Sequence, residues 1–315
     1  MDIAKIIKKV KPEISESTLK AYVQNITKLH KMINGNSEIE TLDFLKNIDE
    51  VLKKLDDKMV HTKKNYLSAI VVALLSDDKK YEKVIHDYRG KVKELQNKVM
   101  DNYENNEKSE KQKQNWIDYP DVLKLLKRLK KEATGLLNKP NLTSKEKDMI
   151  QQYLVLYLYS GKDFPVPRND FADMKVVKEN DEMNKEKNYF VVKKGAPYFK
   201  LNEFKTSKYK GELNIPVKDM ELRKLINKWV KINGTGFLLI NNSNNTPMSS
   251  NGISKYLQKI FKKYLNKDIS SSLLRSIYTT HIYKNNDLSQ KDKKELAEGM
   301  MNSKNTAELV YNKVK

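Results

Sequence analysis

The stretch SSLLRSIYTTHIYK, residues 271–284, reads as a helix whose apolar stripe runs through Leu274, Ile277, Tyr278 and Ile282. Arg275 interrupts that stripe among hydroxyls, with Ser271 and Ser272 a turn before it and Thr279 a turn after. The chain hardly uses arginine: Arg89, Arg128, Arg168, Arg223 and Arg275 are the five among 61 Lys and Arg residues. An arginine kept inside an apolar helix of a lysine-rich chain marks a place where an ammonium does not suffice. The guanidinium offers a planar fork of donors that grips a phosphate or carboxylate through two parallel bonds. The plainer alternative is a buried structural arginine that bonds helix carbonyls.

Working outward, 315 residues leave room for two domains, each with its own core. The absence of cysteine excludes disulfides, thiolate chemistry and cysteine metal sites. No apolar run approaches the ~20 residues of a membrane span, and the opening MDIAKIIKKVKPE has no signal-peptide core. The expectation is an intracellular, soluble protein that acts without a membrane. The formal charge of +20 points to a polyanionic partner, because clustered cations draw phosphate backbones by counterion release. An A/T-rich coding sequence would explain why Lys displaces Arg, but not so large a surplus of positive charge.

The first hundred residues read as helical. SESTLKAYVQNITKLHKMI spaces Leu19, Tyr22, Val23, Ile26, Leu29 and Ile33 along one face behind a serine cap. TLDFLKNIDEVLKKL and HTKKNYLSAIVVALLSD repeat the habit, and a charged helix follows over about 79–100. NYENNEKSEKQKQN, residues 102–115, is apolar only at Tyr103 and reads as a linker. Beyond it come two helices, then short β-branched and aromatic runs (DMKVVK, NYFVVKKG, PYFKLNEFKT, ELNIPV) that predict a small antiparallel sheet. Helices return through the last ten residues. The organisation expected is a helical domain over 1–101, a charged linker over 102–115 and a larger domain over 116–315, mainly α with one small antiparallel sheet.

Four histidines (His30, His61, His86, His281) lack a second histidine at ligand spacing, and no glycine-rich phosphate loop is present. What remains is a basic constellation. Arg168 follows FPVP, where two prolines end any helix and fix the backbone. Lys205 falls at the end of a strand in NEFKTSKYKGELNIPV, which reads as a hairpin turning near 208–211, with Lys208 and Lys210 as its neighbours. Tyr311 ends an amphipathic segment four residues from the C-terminus.

In this order the residues resemble the tyrosine recombinase, or phage-type integrase, family over most of the chain. SGKDFPVPRNDFADMKV is similar to the family's first box, with Arg168 in the first arginine position. FKTSKYKGELNIPV is similar to its lysine-bearing hairpin, with Lys205 in the Lys-Thr pair. SSSLLRSIYTTHIY resembles the second box with Arg275, and MMNSKNTAELVYNKV the terminal box with Tyr311. Six residues separate Gly161 from Arg168, more than the family pattern has, and Asp170 lies two positions after the arginine instead of three. Ser272 stands where the second box has His or Lys, and Asn302 where the family has His or Trp.

The resemblance implies a helical core-binding domain before an α+β catalytic domain, the two clamping double-stranded DNA. Four copies would exchange strands on DNA, with the free protein a monomer or weak oligomer. Arg168 and Arg275 would clamp the phosphate oxygens, which gather charge as tyrosine attacks. Lys205 would protonate the leaving 5′ oxygen, and Tyr311 would form a covalent 3′-phosphotyrosine. Ser272 and Asn302 would contribute hydrogen bonds, and the scheme calls for no cofactor and no metal. The function expected is site-specific DNA recombination by an integrase of a mobile element or virus. A type IB topoisomerase, a telomere resolvase and a catalytically impaired DNA-binding descendant are the rivals.

Overall fold

The structure, a computed structural model, describes residues 1–314. The chain divides into two compact units, Met1–Asn105 and Asn106–Lys315.

The first unit is helical: α1 (Ile3–Val10), α2 (Glu16–Asn34), α3 (Ile48–Lys54), α4 (Val60–Leu74) and α5 (Asp78–Glu104). Ser15 starts α2 by accepting from the amide of Thr18, as its place in SEST foretells. Of the apolar stripe on α2, Leu19, Ile26 and Leu29 are buried, while Tyr22, Val23 and Ile33 are half-buried at its rim. Helix α4 is central, with Leu67, Ile70, Ala73 and Leu74 fully covered. Tyr88 of α5 lies against it and donates its hydroxyl to the Leu45 carbonyl at 2.8 Å, which lets a buried phenol keep a partner.

The segment expected as a linker is largely helical. α5 continues to Glu104, and Glu110–Asn115 forms α6, started by a reciprocal box between Ser109 and Gln112. Capping, not an apolar stripe, defines α6, so apolar periodicity cannot reveal it.

The second unit is built around α8 (Ser144–Tyr159), begun by a Thr143–Glu146 capping box and buried on all sides from Ile150 to Tyr159. Around it lie α7 (Tyr119–Thr134), α10 (Met220–Asn233), α11 (Ser250–Leu265) and α12 (Ser271–Asn285). Gln151, fully buried on α8, gives its amide to the Ile240 carbonyl and accepts the Ile240 amide, both at 2.9 Å. That exchange fixes the 238–240 segment against the core without leaving a polar group unpaired.

Four strands, β1 (Lys175–Lys178), β2 (Tyr189–Val192), β3 (Tyr198–Leu201) and β4 (Leu213–Pro216), form one sheet in the order β1-β2-β3-β4. The sheet is mixed where an antiparallel one is expected: β2, β3 and β4 alternate, but β1 and β2 run parallel. The cause lies in residues 179–188, which return to the start of the sheet instead of turning back. Asp181 caps the end of β1 through the Lys178 amide at 2.6 Å. Asn188 then donates to the Asp170 and Glu203 carbonyls at 3.0 and 2.8 Å, so that β2 begins beside the beginning of β1. On the inner face Phe199 pairs with Phe190 in register and packs on Phe171 and Phe164, with ring centroids 4.6 and 5.8 Å away. This anchors both ends of the FPVPRNDF run, and Arg168 lies between the anchors.

After α12 come α13 (Gln290–Gly299), the short α14 (Lys304–Thr306) and a single π turn, Ala307–Tyr311, closed by the Asn312 amide on the Ala307 carbonyl at 3.0 Å. Of the helix expected over the last ten residues, only the part through Tyr311 is helical, and Lys315 lies outside the described residues.

Candidate active site

Helix α12 starts where the Ser270 side chain accepts the Leu273 amide, and it is buried from Leu273 to Thr279. Arg275 therefore projects into the protein, with 4% of its surface exposed. One terminal nitrogen donates to the Tyr311 hydroxyl at 2.8 Å, the other to the Met300 carbonyl at 2.7 Å. The guanidinium also lies over the Tyr311 ring, 4.4 Å from its centroid. A guanidinium has five N–H donors. Two are spent inside the protein, and Nε is buried with no partner in the protein. Burial pulls the pKa of Arg275 down from its ordinary value, Tyr311 opposes that shift, and Arg168 adds to it.

Two local devices bring the partners to Arg275. The first is the end of α13, where the Asn302 amide reaches back to the Ala297 carbonyl at 2.8 Å around Met301. Met301 has φ of +57°, the left-handed position that usually falls to glycine at a helix end. The turn aims the Met300 carbonyl at Arg275 and buries Asn302, whose Nδ2 has no partner in the protein. The second device is the π turn, the kind of irregularity often found at functional sites. Thr280 of α12 ties it down by donating to the Tyr311 carbonyl at 3.4 Å and accepting the Lys313 amide at 2.9 Å.

Arg168 reaches the same neighbourhood from the FPVPR segment. Its carbonyl accepts from the Tyr159 hydroxyl at 3.1 Å, and its Nε lies 3.6 Å from Asp170 Oδ2. That separation is an ion pair but too long for a hydrogen bond, so both atoms remain without one. Burial raises the pKa of Asp170, while Arg168 and then Arg275 draw it down. The carboxylate thus sits between the fields of both arginines. Pro165, three residues before Arg168, lies where a Cβ on Gly299 would come within 2.8 Å of its Cγ. The absence of a side chain at the end of α13 is what lets the FPVPR segment close on α13, whose Met300 carbonyl holds Arg275.

The remaining expectations divide. Lys205 is exposed in the β3–β4 connection, four positions beyond β3 and not at a strand end. The connection forms a one-turn helix, α9 (Ser207–Lys210), whose last residue, Lys210, is exposed like Lys205 but extends toward Asn302. The Lys210 ammonium donates to the Asn302 carbonyl at 3.3 Å, two residues from the carbonyl that holds Arg275. Ser272 is exposed on the first turn of α12, whereas Ser271 turns inward to meet the Ser254 hydroxyl at 3.1 Å. Successive helix residues point about 100° apart, so one of the pair faces in and the other out. Asn169 is a site residue that sequence reasoning missed. Its amide bonds the Ser250 carbonyl and the Ser254 hydroxyl, both at 2.9 Å, fixing the FPVPR segment to α11. Its position beside Arg168 is the signal that was available.

Among the described residues no group of three or more His, Asp or Glu side chains converges in a way that would hold a metal ion, and no helix is long and apolar enough to cross a membrane. No family model and no curated protein sequence matches the chain. Among solved structures the chain is similar to one described as the crystal structure of XerA recombinase. The TM-score is 0.39 and the identity 12%, over 99% of this chain and 93% of that one.

Proposed function

We propose that this chain breaks and rejoins DNA as a tyrosine recombinase does, with Tyr311 as its nucleophile. One observation carries the reading: the hydroxyl of Tyr311 is held at 2.8 Å by a buried arginine, beside a second arginine that shares its field. The four sequence boxes bring the same residues forward independently of that geometry.

The Tyr311 oxygen attacks the phosphorus of a DNA phosphodiester, and the bond from phosphorus to the 5′ oxygen breaks. The phenolic proton passes to water. Negative charge gathers on the non-bridging oxygens, where the free N–H donors of Arg275 and those of Arg168 meet it. The leaving 5′ oxygen takes a proton from Lys210, which replaces Lys205 in that role because it stands beside Asn302. The phosphotyrosine keeps the energy of the broken bond, so a 5′ hydroxyl from another strand reverses the step. Each copy supplies one tyrosine, and exchange between two duplexes takes four.

A covalent-trapping experiment tests this. The protein is incubated with nicked duplexes from a randomised pool, and DNA that stays attached through denaturing electrophoresis is recovered. The expected result is an adduct on the peptide containing Tyr311, formed with EDTA present. Tyr311→Phe removes one oxygen and keeps the ring over Arg275, so it should fold and bind DNA but form no adduct. An adduct that persists in that variant excludes Tyr311 as the nucleophile. A second reading, a DNA-binding protein of recombinase descent that does not cleave, is favoured by the exposed Ser272 at the position of a proton-carrying side chain. It predicts no adduct from the unmodified protein under conditions where DNA is bound.

A further inference from the structure

Tyr311 ends the π turn, and the chain beyond it is extended, with Asn312 at φ −68° and ψ 130°. A helix end leaves its last carbonyls without partners inside the helix. The Tyr311 carbonyl is met from α12. The Thr280 hydroxyl accepts the Lys313 amide at 2.9 Å and donates to the Tyr311 carbonyl at 3.4 Å. The first bond is the tighter, and together they clasp the two peptide groups that flank Asn312. A threonine inside a helix often returns its hydroxyl to a carbonyl three or four residues earlier. Both threonines at this point of α12 send theirs outward instead. Thr279 donates to Met300 Sδ at 3.4 Å, and Thr280 donates to the Tyr311 carbonyl.

The same helix holds the other end of Tyr311. Arg275 donates to the phenolic oxygen at 2.8 Å and stands five residues before Thr280, about 7.5 Å along the helix axis. One rigid element therefore pins the tyrosine at its backbone and at its reactive atom. The two pins do not persist equally through the reaction. A phosphate entering the site claims the guanidinium donors, because its charged oxygens accept them better than a neutral phenol does. The donor on the Tyr311 hydroxyl is released as that oxygen turns to the phosphorus. From there to the transition state the backbone contact remains, and a nucleophile about 1 Å out of place can lose a hundredfold in rate.

We infer that Thr280 is a positioning residue for the reaction: its hydroxyl fixes the backbone beside Tyr311, so that the phenolic oxygen stays aimed at phosphorus after Arg275 has turned to the phosphate. The inference rests on the reading of Tyr311 as the nucleophile. Its signature is a loss in the chemical step and not in binding, because the contact matters most once the guanidinium has let go.

The test uses three variants of the whole chain. Thr280→Val keeps the branched shape and removes both bonds, Thr280→Ala removes them with less bulk, and Thr280→Ser keeps the hydroxyl. Each is studied well below its unfolding midpoint. Mass spectrometry reads hydrogen exchange at the Lys313 amide, filter binding gives the affinity for nicked duplex, and single-turnover assays at saturating duplex give the rate of adduct formation. For Thr280→Val and Thr280→Ala the expected results are faster exchange at Lys313, an affinity within about twofold of the unmodified protein, and a rate lower by about tenfold to a hundredfold. Thr280→Ser should return exchange and rate to within about threefold of the unmodified protein. A purely structural threonine would lower the midpoint and leave the rate of the folded protein unmoved. With an unmodified protein that does form the Tyr311 adduct, any of three results overturns the inference: an unchanged rate in both hydroxyl-free variants, an affinity that falls as far as the rate, or an unchanged exchange at Lys313. An unmodified protein that forms no adduct on Tyr311 overturns the reading of the nucleophile itself, and the positioning role falls with it.

Discussion

Arg275→Lys separates the two tasks that the arginine performs. The native guanidinium makes two bonds within the protein, to the Tyr311 hydroxyl and the Met300 carbonyl, and keeps an unpartnered Nε–H beside the site. A lysine places one ammonium in the same buried space and reaches one of the two oxygens. Losing one charge-assisted hydrogen bond costs about 2 kcal/mol of stability. For a unit of this size that lowers the unfolding midpoint by roughly 4–8 °C. The chemical loss should be larger, because a point charge cannot offer two parallel donors to the phosphate oxygens when they carry most charge. Removing a single such donor elsewhere costs about a hundredfold to a thousandfold in rate. Thermal unfolding followed by circular dichroism measures the first effect. Single-turnover adduct formation on nicked duplex, well below the midpoint, measures the second, and a salt titration of binding provides the reference. The reasoning fails if the variant, folded and bound to DNA, forms adduct at the unmodified rate. It fails equally if binding drops as far as cleavage does, because the fork would then serve the ground state.

The remaining expectations concern neighbouring groups. Lys210→Ala should slow cleavage by about a hundredfold or more, and Lys205→Ala only a few-fold. A substrate whose 5′ bridging oxygen is replaced by sulfur, which leaves without a proton, should restore Lys210→Ala, and a lack of rescue removes the proton-donor role. Gly161→Ala should destabilise the protein by roughly 2–5 kcal/mol, from left-handed strain and overpacking. Its φ is +78°, and an added Cβ would lie 2.5 Å from the Tyr278 ring, so a thermal midpoint within a degree of the unmodified protein refutes that packing. Asp170 has its pKa raised above 3.8, so the folded state holds that proton more tightly than the unfolded chain. The stability contributed by the carboxyl is present in full below that value and is lost as pH rises through the folded pKa. Asp170→Asn should therefore gain stability relative to the unmodified protein over that interval, and urea unfolding at a series of pH values checks the sign.

The parts of this molecule legible in the sequence were those set by periodicity and by rare residues. The stripe on α2 and the arginine inside α12 are both patterns along one element, and the structure buries Leu19, Ile26, Leu29 and Arg275 as those patterns require. What was not legible depends on direction instead of pattern. Lys205 and Lys210 sit five positions apart in one loop, and only the one-turn helix at Ser207–Lys210 decides which of them turns toward Asn302. Ser271 and Ser272 are chemically identical, and the phase of α12 alone assigns one to the interior. The parallel pairing of β1 and β2 follows from where Asn188 ties the intervening loop, a contact between residues far apart in the chain. Met301 occupies a left-handed position with a side chain that is 1% exposed, so packing overrides the glycine expected at a helix end.

The unsatisfied atoms bear on why these residues are held as they are. Arg168 Nε, Arg275 Nε and Asn302 Nδ2 are buried donors without a hydrogen bond in the protein, and Asp170 Oδ2, which pairs ionically with Arg168 Nε at 3.6 Å, is a buried acceptor without one. A buried polar group left unpaired costs about 1–3 kcal/mol, and the cost is greater for charged ones. A sequence free to relax would trade them for apolar residues or turn them toward solvent. Gly161, Gly299 and the fixed carbonyl of Met300 prevent that relaxation by locking α8, the FPVPR segment, α13 and α12 together. Buried donors on or beside a guanidinium are poorly satisfied by a neutral molecule and well satisfied by a tetrahedral oxyanion. On the proposed function, the stability given up at these atoms is what a preorganised anion site gives up, since its donors are in place before charge develops. Asp170 feels the fields of both guanidiniums, which draw its pKa down against the larger effect of burial. An ionised carboxylate there repels an incoming phosphate and so weakens anion binding. Asp170→Asn should on this account bind DNA more tightly at a pH where the unmodified carboxylate is ionised, and a filter-binding titration across pH that shows no such gain refutes it.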